Sequence, residues 1–150
     1  MSAIGSFYLI RSEGLPRLEA ATSATELFAS LERMQTTSMD YGYSGWVLTT
    51  LLPILKTDYG IDLMQGEPNI ATALSRCSEG TVFLFTLNER PLAEKLGSAS
   101  FQPEELQAKY EAFNRTKADG IGQVMIEGIK FLRSGIEQVG PETIGILSVG

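Results

Sequence analysis

Chemistry-bearing side chains crowd one stretch of this chain. Between residues 38 and 67 stand Asp40, Tyr41, Tyr43, Trp46, Asp58, Tyr59, Asp62 and Glu67, opposed only by Lys56. Tyrosine and tryptophan supply rigid contact area and carboxylates supply long-range steering, so the set suits recognition of a basic partner. The plainer reading is that Trp46 and one tyrosine fill the core while the acids coat a solvated face.

Catalysis has little to work with. The 150 residues include no histidine, which removes Ser-His-Asp and Cys-His nucleophile activation, His-ligated zinc, and the one side chain whose ordinary pKa lies near neutrality. Cys77 follows Arg76, but a cysteine at a helix C-terminus meets the unfavourable end of the dipole and reads as an inert thiol. Glu104 and Glu105 open a helix, where negative charge serves the helix itself. Asp58 and Asp62 flank a Tyr59-Gly60 turn without the dense ligand spacing of a calcium loop, so neither a metal nor any other cofactor is expected. Asp119-Gly120-Ile121-Gly122 lacks the preceding strand and the further glycine and lysine of phosphate-binding fingerprints; Gly120 reads as helix punctuation.

The charge balance narrows the partners. Twelve Lys and Arg against 18 Asp and Glu give a formal charge of −6. That argues against non-specific nucleic-acid binding and against docking on an anionic membrane, and in favour of neutral or basic partners. The lone cysteine allows no intramolecular disulfide, and Met1 to Gly5 has neither the basic nor the apolar region of a secretion signal, so a cytoplasmic protein is expected. The apolar stretch from Trp46 to Leu55 contains two threonines and Pro53 and falls far short of the roughly 20 residues that span a bilayer.

Periodicity and punctuation give the elements that must position these residues. Ser6 to Arg11 reads as a strand, and Pro16 to Ala21 as a short helix. Ser23-Ala24-Thr25-Glu26 is a capping box that opens a helix from about 24 to 35, with Leu27, Leu31 and Met34 at helical spacing. Gln35 to Gly45 reads as a loop of about ten residues, a length at which loops often carry function. An apolar helix then runs from Ser44 or Gly45 through Trp46, Leu48, Leu51, Leu52 and Leu55, with Pro53 kinking or breaking it. Pro68 to Cys77 predicts another short helix.

Thr81 to Leu87 is continuously β-branched and apolar, which predicts a strand covered on both faces and placed in the middle of the sheet. Pro91 to Leu96 is a helical turn. Pro103 to Lys117 is an amphipathic helix with Leu106, Tyr110 and Phe113 as its stripe and Glu105–Lys109 and Glu111–Arg115 as i,i+4 pairs. The helix from Ile121 to Val139 is apolar over most of its circumference, with Gln123, Glu127, Lys130, Ser134 and Glu137 as a polar stripe. Its Gly128 and Gly135 predict a neighbouring backbone close by. Thr143 to Val149 closes the chain as a strand. The result is one α+β domain over residues 1–150, a small sheet of about three or more strands with helices against it, and a core containing Phe83, Phe85, Ile129 and Leu132.

In order, these pieces resemble the YfbM-like family of small bacterial proteins of unknown function. The similar features are the opening Ile4-Gly5-Ser6-Phe7 strand, the mid-chain Gly45-Trp46 followed by Leu51-Leu52, the Pro103-Glu104-Glu105-Leu106 helix start, and Phe131-Leu132 in the penultimate helix. This chain lacks the histidine that accompanies the tryptophan-containing segment of that family. The resemblance implies a compact α+β fold and a functional surface at Trp46, and supplies no reaction.

Two functions follow. The first is a non-catalytic acidic domain that covers a basic surface on another protein, as an inhibitor or immunity-type protein does, with Asp40, Tyr41, Tyr43, Trp46, Asp58, Tyr59 and Asp62 as its binding residues. The second is a small-molecule-binding domain or histidine-free enzyme with a pocket walled by Trp46 and the nearby Tyr and Asp residues. Shape separates them: a convex acidic surface favours the first, and a closed pocket with converging carboxylates favours the second. A third reading, a subunit of a larger assembly, rests on the nearly all-round apolar helix from Ile121 to Val139.

Overall fold

A computed structural model describes residues 3–64, 72, 74–76 and 80–150. Four antiparallel strands, β1 (Gly5–Arg11), β2 (Gln35–Asp40), β3 (Thr81–Phe85) and β4 (Thr143–Val149), form one sheet in the order β2-β1-β4-β3. The two segments at the ends of the sequence therefore become the centre of the sheet, paired from Gly5 opposite Val149 to Arg11 opposite Thr143.

Helices cover both faces. Alternation along the strands sends Phe7, Leu9, Phe85, Leu147 and Val149 to one face, where they meet α3 (Trp46–Tyr59), α4 (Arg90–Ser98), α5 (Pro103–Asn114) and α6 (Ile121–Glu137). Ile10, Val82, Leu84, Ile144 and Ile146 point the other way, onto α1 (Leu15–Glu19), α2 (Ala24–Met34) and Leu74. The molecule is thus an α+β domain whose sheet is buried on both sides.

Local rules account for the helix limits. Ser23 accepts the Glu26 backbone N–H at 3.2 Å, and the Glu26 carboxylate accepts the N–H and hydroxyl of Thr22, one residue before the cap. Pro53 forfeits one ladder bond, yet α3 continues to Tyr59, where Gly60 at φ +68° ends it by donating its N–H to Leu55.

Several expectations are corrected. The Gln35–Gly45 segment is a strand over its first six residues; its exposed Thr36, Thr37 and Ser38 gave no apolar alternation because β2 lies at the sheet edge. The strand from Thr81 ends at Phe85 and is also an edge strand among the described residues. Its continuous apolar run reflects two covered faces, which does not require two hydrogen-bonded neighbours. Phe85, Ile129 and Leu132 are buried, whereas Phe83 is only half-buried. Phe113 is exposed, and Arg115 adopts a left-handed conformation at the end of α5, while its intended partner Glu111 accepts the Ala118 N–H instead.

The glycines of α6 face side chains. A Cβ on Gly135 would meet the Phe7 ring at 2.8 Å, and one on Gly128 would meet Leu51, Tyr41 and Leu48 at 3.1 to 3.3 Å. The close backbone lies at Gly122, against Pro103. Within the Pro68–Cys77 segment, residues 72 and 74–76 are helical; Pro68 and Cys77, like Glu67, lie outside the described residues.

Candidate functional site

Helix α3 divides the sequence cluster in two. Its 14 residues separate Trp46 from Tyr59 by about 20 Å at 1.5 Å per residue. Asp40, Tyr41, Tyr43 and Trp46 gather at its N-terminus, and Asp58, Tyr59 and Asp62 at its C-terminus.

The C-terminal group is internally paired. Asp58 lies 3.5 Å from Lys109, which also reaches Glu105 at 3.9 Å. Asp62 lies 3.7 Å from Lys56 and accepts the Met64 N–H at 3.0 Å. The Tyr59 ring packs on Phe101 at 5.0 Å, sits under the Lys109 ammonium, and donates its hydroxyl to Glu105. Burial, together with Glu105 and Asp58, pushes its pKa up to about 12. These contacts tie α3 to α5, and they leave the two aspartates already paired.

Of the N-terminal group, Asp40, Tyr41 and Tyr43, but not Trp46, line an open groove of about 400 Å³ between the end of β2 and α6, with Glu127, Lys130 and Phe131 among others. Tyr41 is its floor. The residue is buried, its hydroxyl donates to the Val124 carbonyl at 2.6 Å, and its ring lies 5.6 Å from Tyr43 and 5.5 Å from Phe131. Burial first, then Tyr43 and Glu127, raise the Tyr41 pKa far above that of a free phenol, so it stays neutral. Asp40 is exposed at the lip and accepts the Ser6 hydroxyl at 2.7 Å. Glu127 pairs with Lys130 at 3.3 Å.

Tyr43 and Trp46 project outward and remain 48% and 52% exposed. Gly45 makes this turn feasible, since a Cβ there would press on Val149 and on the backbone of Ile4 and Gly5 at 2.9 to 3.0 Å. Ile4, 63% exposed, is thereby held beside the same turn. One of the expected aromatic residues, Tyr41, is core; Trp46 is not.

Glu127, Lys130, Phe131 and Ser134 complete the groove, and sequence reasoning did not attach them to it. Their signal was present as the polar stripe of α6, but a stripe does not say which loop faces it. Among the described residues no three His, Cys, Asp or Glu side chains gather as a metal site, and no helix is long and apolar enough to cross a membrane. The buried Glu89 serves the fold, because its carboxylate accepts the N–H and hydroxyl of Thr86 at 2.6 and 2.8 Å at the start of α4. No family model, curated protein or solved structure matches this chain.

Proposed function

We propose that this chain is a non-catalytic binding domain that docks a basic surface of a partner protein, in the manner of an inhibitor or immunity-type protein, in the cytoplasm. The observation that carries the proposal is the half-exposure of Tyr43, in a groove bearing Asp40 and Glu127, and of Trp46, which follows it at the start of α3. Large aromatic side chains left in water cost burial free energy until a partner covers them, and rigid aromatics make strong anchors. The formal charge of −6 favours approach to a basic surface.

The small-molecule alternative draws less support. Asp58 and Asp62, two of its three candidate polar groups, stand at the far end of α3 and are paired with lysines. The resemblance to YfbM-like proteins enters the proposal only through a surface role for Trp46.

The test is affinity capture from native cells with the unmodified chain, Tyr43→Ala, Trp46→Ala and, as a control at a remote exposed aromatic, Phe113→Ala. The proposal expects one discrete protein captured by the first and last and lost by the other two. Equal capture by all four would place the docking surface elsewhere.

A further inference from the structure

The geometry points to a second interaction surface, the outer edge of β2, and we propose that a second copy of this chain occupies it, edge to edge across a two-fold axis with the β2 strands antiparallel. Hydrogen-bond parity decides which groups of β2 face away from β1. Tyr41 donates its N–H to Gly5 at 2.8 Å, and the ladder runs on through Phe7 opposite Met39 and Leu9 opposite Thr37. Bonded pairs recur at every second residue as far as Thr37, so Thr37 and Met39 turn their peptide groups toward β1 while Ser38 and Asp40 turn theirs outward; the register shifts at Thr36, where the alternation stops.

No further described strand covers that edge. Thr36, Thr37 and Ser38 are exposed, and from Thr37 to Asp40 the strand has no proline, no lysine and no bulge to guard it; the register shift at Thr36 lies at its start, and Asp40 is its single charge.

Charge selects the occupant and the direction. Next to Thr36 lies a groove of about 490 Å³ lined by Arg11, Glu13, Arg17 and Met34. Arg17 makes no ion pair among the described residues, and Arg11 reaches Glu13 only at 4.0 Å with both side chains largely in solvent. At the other end of β2 stands Asp40, opposite Ser6 and on the same sheet face as α1. One end of the strand is therefore net basic and the other net acidic.

Antiparallel pairing through Ser38 puts that residue on the axis opposite its own copy and brings Asp40 of each strand beside the Thr36 end of the other. Each copy's Asp40 then meets the other's arginine groove, twice by symmetry, and the remaining paired residues, Thr37 and Met39, are neutral. Parallel pairing would instead set Asp40 against Asp40. The product is a closed dimer with one eight-stranded sheet. This surface shares Met39 and Asp40 with the proposed partner-docking groove.

Light scattering coupled to size exclusion, from low to high micromolar protein, tests the proposal. A mass rising to twice 16.3 kDa is expected. Ser38→Pro removes an outward N–H that β1 does not use, and it is expected to leave a folded monomer by circular dichroism. Should that variant misfold, charge reversal decides: Asp40→Arg and Arg17→Asp should each weaken the dimer about tenfold, two exposed pairs being lost at once, and the double reversal should restore it. A monomeric unmodified chain throughout the range overturns the proposal. So does a dimer that both Ser38→Pro and the charge reversals leave unchanged. A dimer lost on Trp46→Ala but kept in Ser38→Pro overturns it too, by assigning association to the aromatic surface.

Discussion

Replacing Gly135 with alanine sets two effects of known sign against each other. Gly135 lies in the interior of α6, where alanine should stabilise an unconstrained helix by about 1 kcal/mol. The added Cβ, however, would stand 2.8 Å from three atoms of the Phe7 ring. That ring cannot retreat. It is 1% exposed, stacks on Phe85 at 5.5 Å, meets Phe131 edge-on at 6.4 Å, and fills the space over Gly145, where a Cβ would come within 2.5 Å of it. Overpacking of this kind costs about 1–3 kcal/mol, so the net change should be a loss of up to about 2 kcal/mol.

Urea denaturation followed by circular dichroism reads this directly, with unchanged m-values required for the comparison. In a Phe7→Leu background, which vacates part of the ring volume, Gly135→Ala should become neutral or stabilising, with a coupling of about 1 kcal/mol or more. A stabilisation by Gly135→Ala alone, equal to the helix gain, would refute the ring-in-notch packing and with it the seating of α6 on β1.

Three further outcomes are expected. Phe85→Ala should cost about 3–5 kcal/mol in the same denaturation assay, since the side chain is fully buried and leaves a cavity; a loss below about 1 kcal/mol would contradict the placement of β3. Glu89→Ala should cost about 1–3 kcal/mol by stranding the Thr86 N–H and hydroxyl, measured likewise, with Glu89→Gln retaining part of the loss. Tyr59 carries a pKa raised to about 12 in the folded chain against about 10 unfolded, so the folded state holds its proton longer. Its contribution is complete below pH about 10 and is lost as pH rises toward about 12, a loss that Tyr59→Phe should reduce in melts across that range. Between pH 5 and 8, where no side chain of this histidine-free chain has its ordinary pKa, the melting temperature should stay nearly level.

Much of the fold was legible in the residues because the apolar patterns were strong. The final strand has the predicted limits, Thr143–Val149, and the capping box at Ser23 sets the start of α2. What failed had a physical cause. Thr36, Thr37 and Ser38 are exposed, and β2 is held by backbone bonds to β1, which leave no mark in side-chain pattern. The Thr81 strand advertises burial of its faces but not its place in the hydrogen-bond order. At the site, the spacing of Tyr41, Tyr43 and Trp46 identified a turn of aromatic residues, but which ring would be core depended on α6 arriving over Tyr41, a contact 83 residues away in sequence. Asp58 and Asp62 looked free because Lys109, half of their neutralisation, comes from another helix.

The central claim is that Asp40, Tyr43 and Trp46 act together on a basic partner. It is tested most directly by association and dissociation rates toward the captured protein at two salt concentrations. The account predicts that Tyr43→Ala and Trp46→Ala mainly speed dissociation, because aromatic anchors act after contact. Asp40→Asn should mainly slow association and flatten its salt dependence, because a rim charge acts through the field before contact. Rates unchanged in all three folded variants would contradict the claim.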